Sequence, residues 1–220
     1  MKLHTFVGSP NSHKVEAVVS HLGLETAIQH QYHDLFAGDL RKPDYLALNP
    51  NGKVPMLEDG GFVLTESNAI MQYLADKASD GSLFPRDPQR RADVVRWQCW
   101  ELAHFNQAFG SLVIETVVKP RFNRRGPTNP ALVEVALADL ARFAPVLDRH
   151  LSGRDFMVGE GITLADYSVI ALEAYRPSVP LDWSPYPHIN AHFDRMRRVE
   201  HWRRTAPPDP EFQGRKPKVA

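Results

Sequence analysis

The residues best suited to chemistry lie in Leu48-Asn49-Pro50-Asn51-Gly52-Lys53-Val54-Pro55-Met56-Leu57 and in Glu66-Ser67-Asn68-Ala69-Ile70 shortly after it. Proline has no N–H to give a strand ladder, so the backbone before Pro55 is left without an intrachain strand partner. An extended peptide could pair there with the N–H and C=O of Val54, as an added strand. A helix starting at Ser67 offers free N–H groups and a positive dipole end to a carboxylate. Lys53 supplies a cation nearby. Together these suit a short extended peptide with a carboxylate at each end. On spacing alone, a hairpin followed by a capped helix accounts for the same residues.

The elements that must position these residues can be read from local pattern. Asn-Pro and Asn-Gly are turn dipeptides, here back to back. Val54-Pro55-Met56-Leu57 is short and apolar, a buried strand that Pro55 should open. Asp59-Gly60-Gly61 reads as a hairpin turn and Phe62-Val63-Leu64-Thr65 as the returning strand. Upstream, Leu3-His4-Thr5-Phe6 alternates as a strand and Gly8-Ser9-Pro10 breaks it. Val15, Val18, Val19 and Leu22 then recur at helical spacing, with Pro10 at the first position and Gly23 as the end. Gln29 to His33 is a second strand, followed by a turn-rich loop. The helix after Ser67 carries Ile70, Met71, Tyr73 and Leu74 and fades at Ser79-Asp80-Gly81. The order is βαβ followed by ββα, a thioredoxin-like α/β domain over residues 1–79.

Residues 80–87 form a polar, proline-marked linker. Asp87-Pro88 opens a long helix by cap and first position. Val95, Gln98, Leu102, Phe105, Phe109 and Leu112 make its core stripe, which should end near Val118 because Pro120 disfavours helix at Lys119. Asn129-Pro130 repeats the start signal for a helix to Leu151. Thr163-Leu164-Ala165-Asp166 has capping-box spacing. A proline-rich loop spans Pro177 to Pro187, a helix runs from His188 to Arg198, and a short turn surrounds Trp202. Residues 88–220 are therefore expected as an all-helical C-terminal domain with a mobile, solvated tail from about 207. Cys99 is expected as a buried structural thiol.

Of 220 residues, 43% are hydrophobic and 24% charged, as in ordinary globular proteins. Lys+Arg and Asp+Glu are both 26, so charge gives no reason to invoke nucleic acid or an anionic membrane. No apolar run approaches a membrane span, and the N-terminus enters a strand pattern with no signal-peptide core. A single cysteine excludes an internal disulfide and fits the reducing cytoplasm. The histidines show no HExxH and no Cys/His metal spacing, so no metal is expected.

The stretch "NPNGKVPMLEDGGFVLTES" resembles the glutathione-binding segment of the soluble, cytosolic glutathione transferases, in which a proline follows a cis bond and Glu/Gln-Ser comes after. The similarity covers nearly the whole chain and is of a bacterial type with a serine-type site. It implies a glutathione-binding first domain with the catalytic residue between the first strand and first helix, where Ser9 falls; Ser12 is the alternative. A thiol is nucleophilic only as thiolate. A serine hydroxyl can donate a hydrogen bond to that sulfur and favour the charged form, by one to two pKa units for a charge-assisted bond of roughly 1.5–3 kcal/mol. The helix N-terminus acts with the same sign. Without the resemblance, Ser9 reads as a helix cap.

The resemblance further implies that Arg41 and Lys53 meet the glycine carboxylate of glutathione, that Val54, ahead of Pro55, pairs with its cysteinyl part, and that Glu66 and Ser67 hold its γ-glutamyl end. Surface charge is the plain alternative for Arg41 and Lys53. Leu40 replaces a histidine, and Asn51 an aromatic "key", found in relatives. Trp97, Glu101, His104, Ala108 and Ser111 share a second face of the long helix, so His104 is a candidate for the electrophile pocket, against ordinary packing. The family further implies a homodimer and a small hydrophobic electrophile as second substrate. Two other readings remain open: a glutathione-dependent isomerase, dehalogenase or peroxide reductase, and a non-catalytic glutathione-binding or regulatory protein. A cysteine-type thiol oxidoreductase is disfavoured by Ser9.

Overall fold

A computed structural model describes residues 1–79, 81–122 and 126–207; beyond residue 207, the expected solvated tail lies outside the described residues. Two compact units result, one of Met1–Phe84 with residues 198–207, the other of Pro85–Arg197.

In the first unit, β1 (Lys2–Thr5), α1 (Pro10–His21) and β2 (Gln29–Tyr32) form the βαβ part. The helix α2 (Pro43–Leu48) follows, then β3 (Met56–Asp59), β4 (Phe62–Thr65) and α3 (Ser67–Lys77). The sheet order is β2-β1-β3-β4. β1 and β2 are parallel, as the α1 crossover requires, and β3 is antiparallel to β1 and β4. Pairing begins at Met56, opposite His4 and Thr65, one residue later than the strand start expected at Pro55. Side chains alternate across a strand: Met56 joins Leu40 and Tyr45 on the α2 side, while Leu57 points the other way, and both are fully buried. The region expected as a turn-rich loop contains α2. Six residues opened by Pro43 are too few to show helical periodicity.

The second unit is helical, as expected: α4 (Pro88–Trp100), α5 (Asn106–Val113), α6 (Lys119–Phe122), α7 (Pro130–Leu151), α8 (Leu164–Val169) and α9 (Pro187–Arg197). Asp87 and Asn129 cap α4 and α7, accepting from the Arg90 and Ala131 N–H groups at 2.9 and 3.0 Å. Asp166, fully buried, accepts from the Thr163 N–H and hydroxyl and from the Met157 N–H. Ile170–Ser178 winds as 3-10 helix, so helical structure enters the start of the expected proline-rich loop.

Two expectations fail here, at Leu102 and at Cys99. Glu101–Phe105 and Ile114–Val118 are π-helical, and a wide turn shifts the register of every residue after it. The buried face is Val94, Trp97, Gln98, Glu101, Phe105, Ala108, Phe109 and Leu112, so the expected stripe holds at Gln98, Phe105, Phe109 and Leu112, while Leu102, inside the first wide turn, is 45% exposed. Cys99 precedes that turn; it lies on the outer side of α4 and is exposed, contrary to the buried thiol expected. The second wide turn also takes up Pro120, so helix continues to Phe122 past the stop expected near Val118.

Residues 198–207 group with the first unit and not with the helical domain expected over 88–220. The cause is α10 (Glu200–Thr205), which lies on α1. Trp202 is buried, and its carbonyl accepts from His13 Nε2 at 2.9 Å. Arg204 pairs with Glu25 and donates to Ser20 Oγ.

Burial pulls the pKa of His13 down to about 4. A depressed pKa means that the neutral ring stabilises the fold above about pH 6.5, and that this is lost as pH falls toward 4. Urea unfolding should show His13 removing about 2 kcal/mol between pH 7 and pH 5. His13→Gln, which keeps a donor but cannot titrate, should lose that much less over the same interval.

Candidate active site

The loop before β3 is held from beneath. Asn49 is 1% exposed and all its polar groups are used. Its N–H donates to Tyr45 O at 2.8 Å and its carbonyl accepts from Gly52 N–H at 2.9 Å. Its Oδ1 accepts from Asn51 N–H at 3.1 Å and its Nδ2 donates to Lys53 O at 2.8 Å. Tyr45 donates its hydroxyl to the same Lys53 carbonyl at 2.5 Å, and burial pushes its pKa up to about 12. Gly52 has φ +56, and a Cβ there would lie 3.0 Å from Leu40 O, so the turn requires glycine. The Val54–Pro55 bond is cis. Val54 precedes the first paired residue of β3 and lies outside the ladder.

The turn also gathers cations. The Arg41 guanidinium reaches over Gly52, with Nη1 3.1 Å from the position of a Cβ there. Arg41 and Lys53 are both exposed and flank one turn.

The starts of α1 and α3 meet. Ser67 is the first residue of α3 and is buried; its hydroxyl donates to Asn11 Oδ1 at 3.4 Å. Behind this contact Lys14, fully buried, donates from Nζ to Asn68 Oδ1 at 2.8 Å. Glu66, exposed, caps α3 with φ +69 and ψ 114. That backbone is strained for a residue with a Cβ, at about 1–3 kcal/mol, and such strain concentrates at functional sites.

Ser9 and Ser12 separate clearly. Ser9 caps α1 and accepts from the Ser12 N–H at 3.2 Å. That bond uses a lone pair, so the hydroxyl hydrogen is available to a further acceptor. Ser12 is 1% exposed, and its Oγ accepts from Phe6 N–H at 3.4 Å. His104 belongs to the helical unit. Its ring stacks on Phe143, centroids 4.8 Å apart, beside Trp100.

Profiles of the glutathione S-transferase N-terminal and C-terminal domains match residues 1–76 and 105–200. Glutathione S-transferase 3 of Zea mays is 33% identical over 219 residues, 96% of this chain and 97% of that protein. The chain belongs to the glutathione transferase family. It is similar to a delta-class glutathione transferase of Nilaparvata lugens, whose crystal structure superposes with a TM-score of 0.77 at 30% identity, over 93% of this chain and 92% of that one. Glutathione transferase F2 of Populus trichocarpa shares the fold, with a TM-score of 0.84 at 22% identity over 93% and 96% of the two chains.

The cis bond expected of a family member is present at Pro55. Tyr45, Asn49 and Lys14 support the loop before β3 and the start of α3 from within, and sequence reading gave none of them a role. Lys14 had a signal: it shares a helix face with Val18 and adjoins Val15, a charged residue at a core position. Tyr45 and Asn49 had none, because they act on a backbone carbonyl. Among the described residues no group of three or more His, Cys, Asp or Glu could hold a metal, and no helix is long and apolar enough to cross a membrane. Asn49→Ala removes both loop bonds of the side chain, one of them a donor to Lys53 O, and should cost about 1–3 kcal/mol in urea unfolding. Exposed Asn51→Ala should stay within about 0.5 kcal/mol.

Proposed function

We propose that the protein is a serine-type glutathione transferase that conjugates the glutathione thiolate to small hydrophobic electrophiles. Full-length similarity to the maize transferase supports the reaction class. The observation that supports the serine assignment is the contrast at α1: Ser9 is a partly buried cap whose side chain accepts from Ser12 N–H and keeps its hydroxyl hydrogen for a further acceptor, and Ser12 is enclosed. In this reading the tripeptide lies extended along Val54, outside the ladder, ahead of Pro55. Its γ-glutamyl carboxylate meets Glu66-Ser67 at the start of α3, where free N–H groups and buried Lys14 favour an anion. Arg41 and Lys53 take the glycyl carboxylate. Ser9 donates its O–H to the sulfur, and the start of α1 adds to the same field. The thiolate attacks the electrophilic carbon, a C–S bond forms, and the leaving group departs with its electron pair.

His104, among Trp100 and Phe143, is our candidate for the electrophile side. We further propose a two-fold homodimer, the commonest closed symmetry. Asn51, exposed and polar, is not an aromatic lock, so pairing should lean on α3 and α4. Light scattering at micromolar concentration should give twice the chain mass; a monomer mass refutes this arrangement.

Ser9→Ala should move the pH profile of conjugation to a chloro-nitro-aromatic electrophile upward. It should lower kcat/KM near neutral pH by about tenfold or more, with little change in glutathione affinity. Ser12→Ala should lower stability and leave the pH profile in place. The opposite ranking would move the role to Ser12. Binding without turnover in the wild type would leave a glutathione-binding protein.

A further inference from the structure

On the α2 side of the sheet, polar side chains from β1, β3 and the end of β2 are joined in series. His4 is 6% exposed. Its Nε2 lies 2.7 Å from Glu58 Oε1, and its Nδ1 lies 2.8 Å from His33 Nε2. The two imidazoles stack, with centroids 5.1 Å apart and planes 15° apart. His33 meets the Tyr45 ring edge-on at 4.8 Å. Tyr45 holds the Lys53 carbonyl, and His4 is paired with Met56, next to Pro55. The series therefore ends at Lys53 and at Met56, on either side of Val54, along which glutathione is proposed to lie.

A contact of 2.8 Å between two ring nitrogens needs one proton between them, and only one. With Glu58 ionised, His4 keeps a proton on Nε2. A neutral pair is then satisfied by His33 donating from Nε2 to His4 Nδ1. One added proton is also accommodated: His4 becomes the cation between Glu58 and His33, and donates to both. A second added proton leaves N–H facing N–H and two positive charges in contact. Other groups facing the pair do not remove this conflict. Lys2 Nζ, 3.0 Å from Glu58 Oε1, competes for the same carboxylate. Lys42 repels a charged His33, Asp39 attracts it, and Tyr45 stays neutral.

We propose that the His4–His33 pair is a positioning device for the glutathione loop, in which a second proton on the pair separates the rings, releases Tyr45 from the Lys53 carbonyl and weakens glutathione binding in acid. The proposal rests on the glutathione reading above. The direction of the window follows from the surroundings. Burial first, then the charge of His4, holds His33 below the ordinary histidine range. Hydrogen bonds from His4, then from Lys2, hold Glu58 below the carboxylate range. Binding is thus complete at neutral pH and is lost as pH falls through the lowered His33 value. The carboxylates of glutathione stay ionised above pH 5, so the ligand adds little slope of its own.

The test measures the glutathione Kd by calorimetry at pH 7.5 and pH 5.0, for wild type, His33→Phe and His33→Gln. Phenylalanine keeps a ring against Tyr45, glutamine keeps a donor toward His4, and neither titrates. The wild-type Kd should rise in acid, by up to about tenfold for each pH unit below the second protonation. In both variants the ratio of the two Kd values should fall below about twofold, whatever the affinity at pH 7.5. An equal acid ratio in wild type and variants overturns the proposal, as does a flat wild-type profile. Amide NMR shifts of Lys53, Val54 and Met56 read the device without ligand. They should follow one acid titration in the wild type that His33→Phe abolishes. If that titration is present and glutathione does not bind at all, the glutathione reading fails while the coupling of the pair to the loop stands.

Discussion

The Lys53 carbonyl accepts two buried donors, Tyr45 Oη and Asn49 Nδ2, and the organisation of the first unit turns on that double anchor. A carbonyl just ahead of a strand would ordinarily be drawn into the ladder. Here the ladder starts at Met56, and the Lys53 acceptor is already satisfied from below. An unmet buried partner costs about 1–3 kcal/mol, so α2 and the loop hold one another: Asn49 needs the turn and the turn needs Asn49. The outcome is an extended backbone at Val54 that the chain itself does not pair. That is the property a peptide ligand can use.

Electrostatics at the site is local, not global. Formal net charge is zero, so long-range steering of an anion has no support in composition. The starts of α1 and α3 meet at Asn11 and Ser67, with the Lys14 ammonium buried behind them. Arg41 and Lys53 flank the Gly52 turn. Positive ends and cations are thus concentrated where an anionic tripeptide would lie. A desolvated ammonium counts for more than a solvated one, because the effective dielectric around it is lower. Lys14 therefore matters more than its distance from solvent suggests.

Most of the fold was legible because its signals are local. Asp59-Gly60-Gly61 forces a hairpin, and Asp87-Pro88 and Asn129-Pro130 set helix starts by chemistry confined to a few residues. Periodicity failed where geometry departed from 3.6 residues per turn. The wide turn at Glu101 left Leu102 at the surface, and the one at Ile114 carried helix past Pro120. The Lys53–Val54–Pro55 and Glu66–Ser67 segments were legible from turn residues and from proline's missing donor. Their supports were not. His4 and His33 act through contacts between elements distant in sequence, and Tyr45 and Asn49, though close to the turn, act on a backbone carbonyl, so no side-chain pattern along the chain announces them. The grouping of α10 with the first unit is of the same kind, since it depends on a His13–Trp202 contact across nearly the whole chain.

That last contact bears on how tightly Ser9 can be placed. A hydroxyl that stabilises a thiolate must hold its position to within a fraction of an ångström, because a displacement of about 1 Å can cost a hundredfold in rate. The cap bond to Ser12 N–H fixes Ser9 relative to α1 only. α1 is fixed against α3 by Ser67–Asn11 and Lys14–Asn68. On another side it is fixed by α10, through His13, Ser20 and Arg204. The helix that carries Ser9 is thus clamped between the element proposed to hold the γ-glutamyl end and the last described helix of the chain. The precision of the serine is a property of that clamp more than of the serine's own loop.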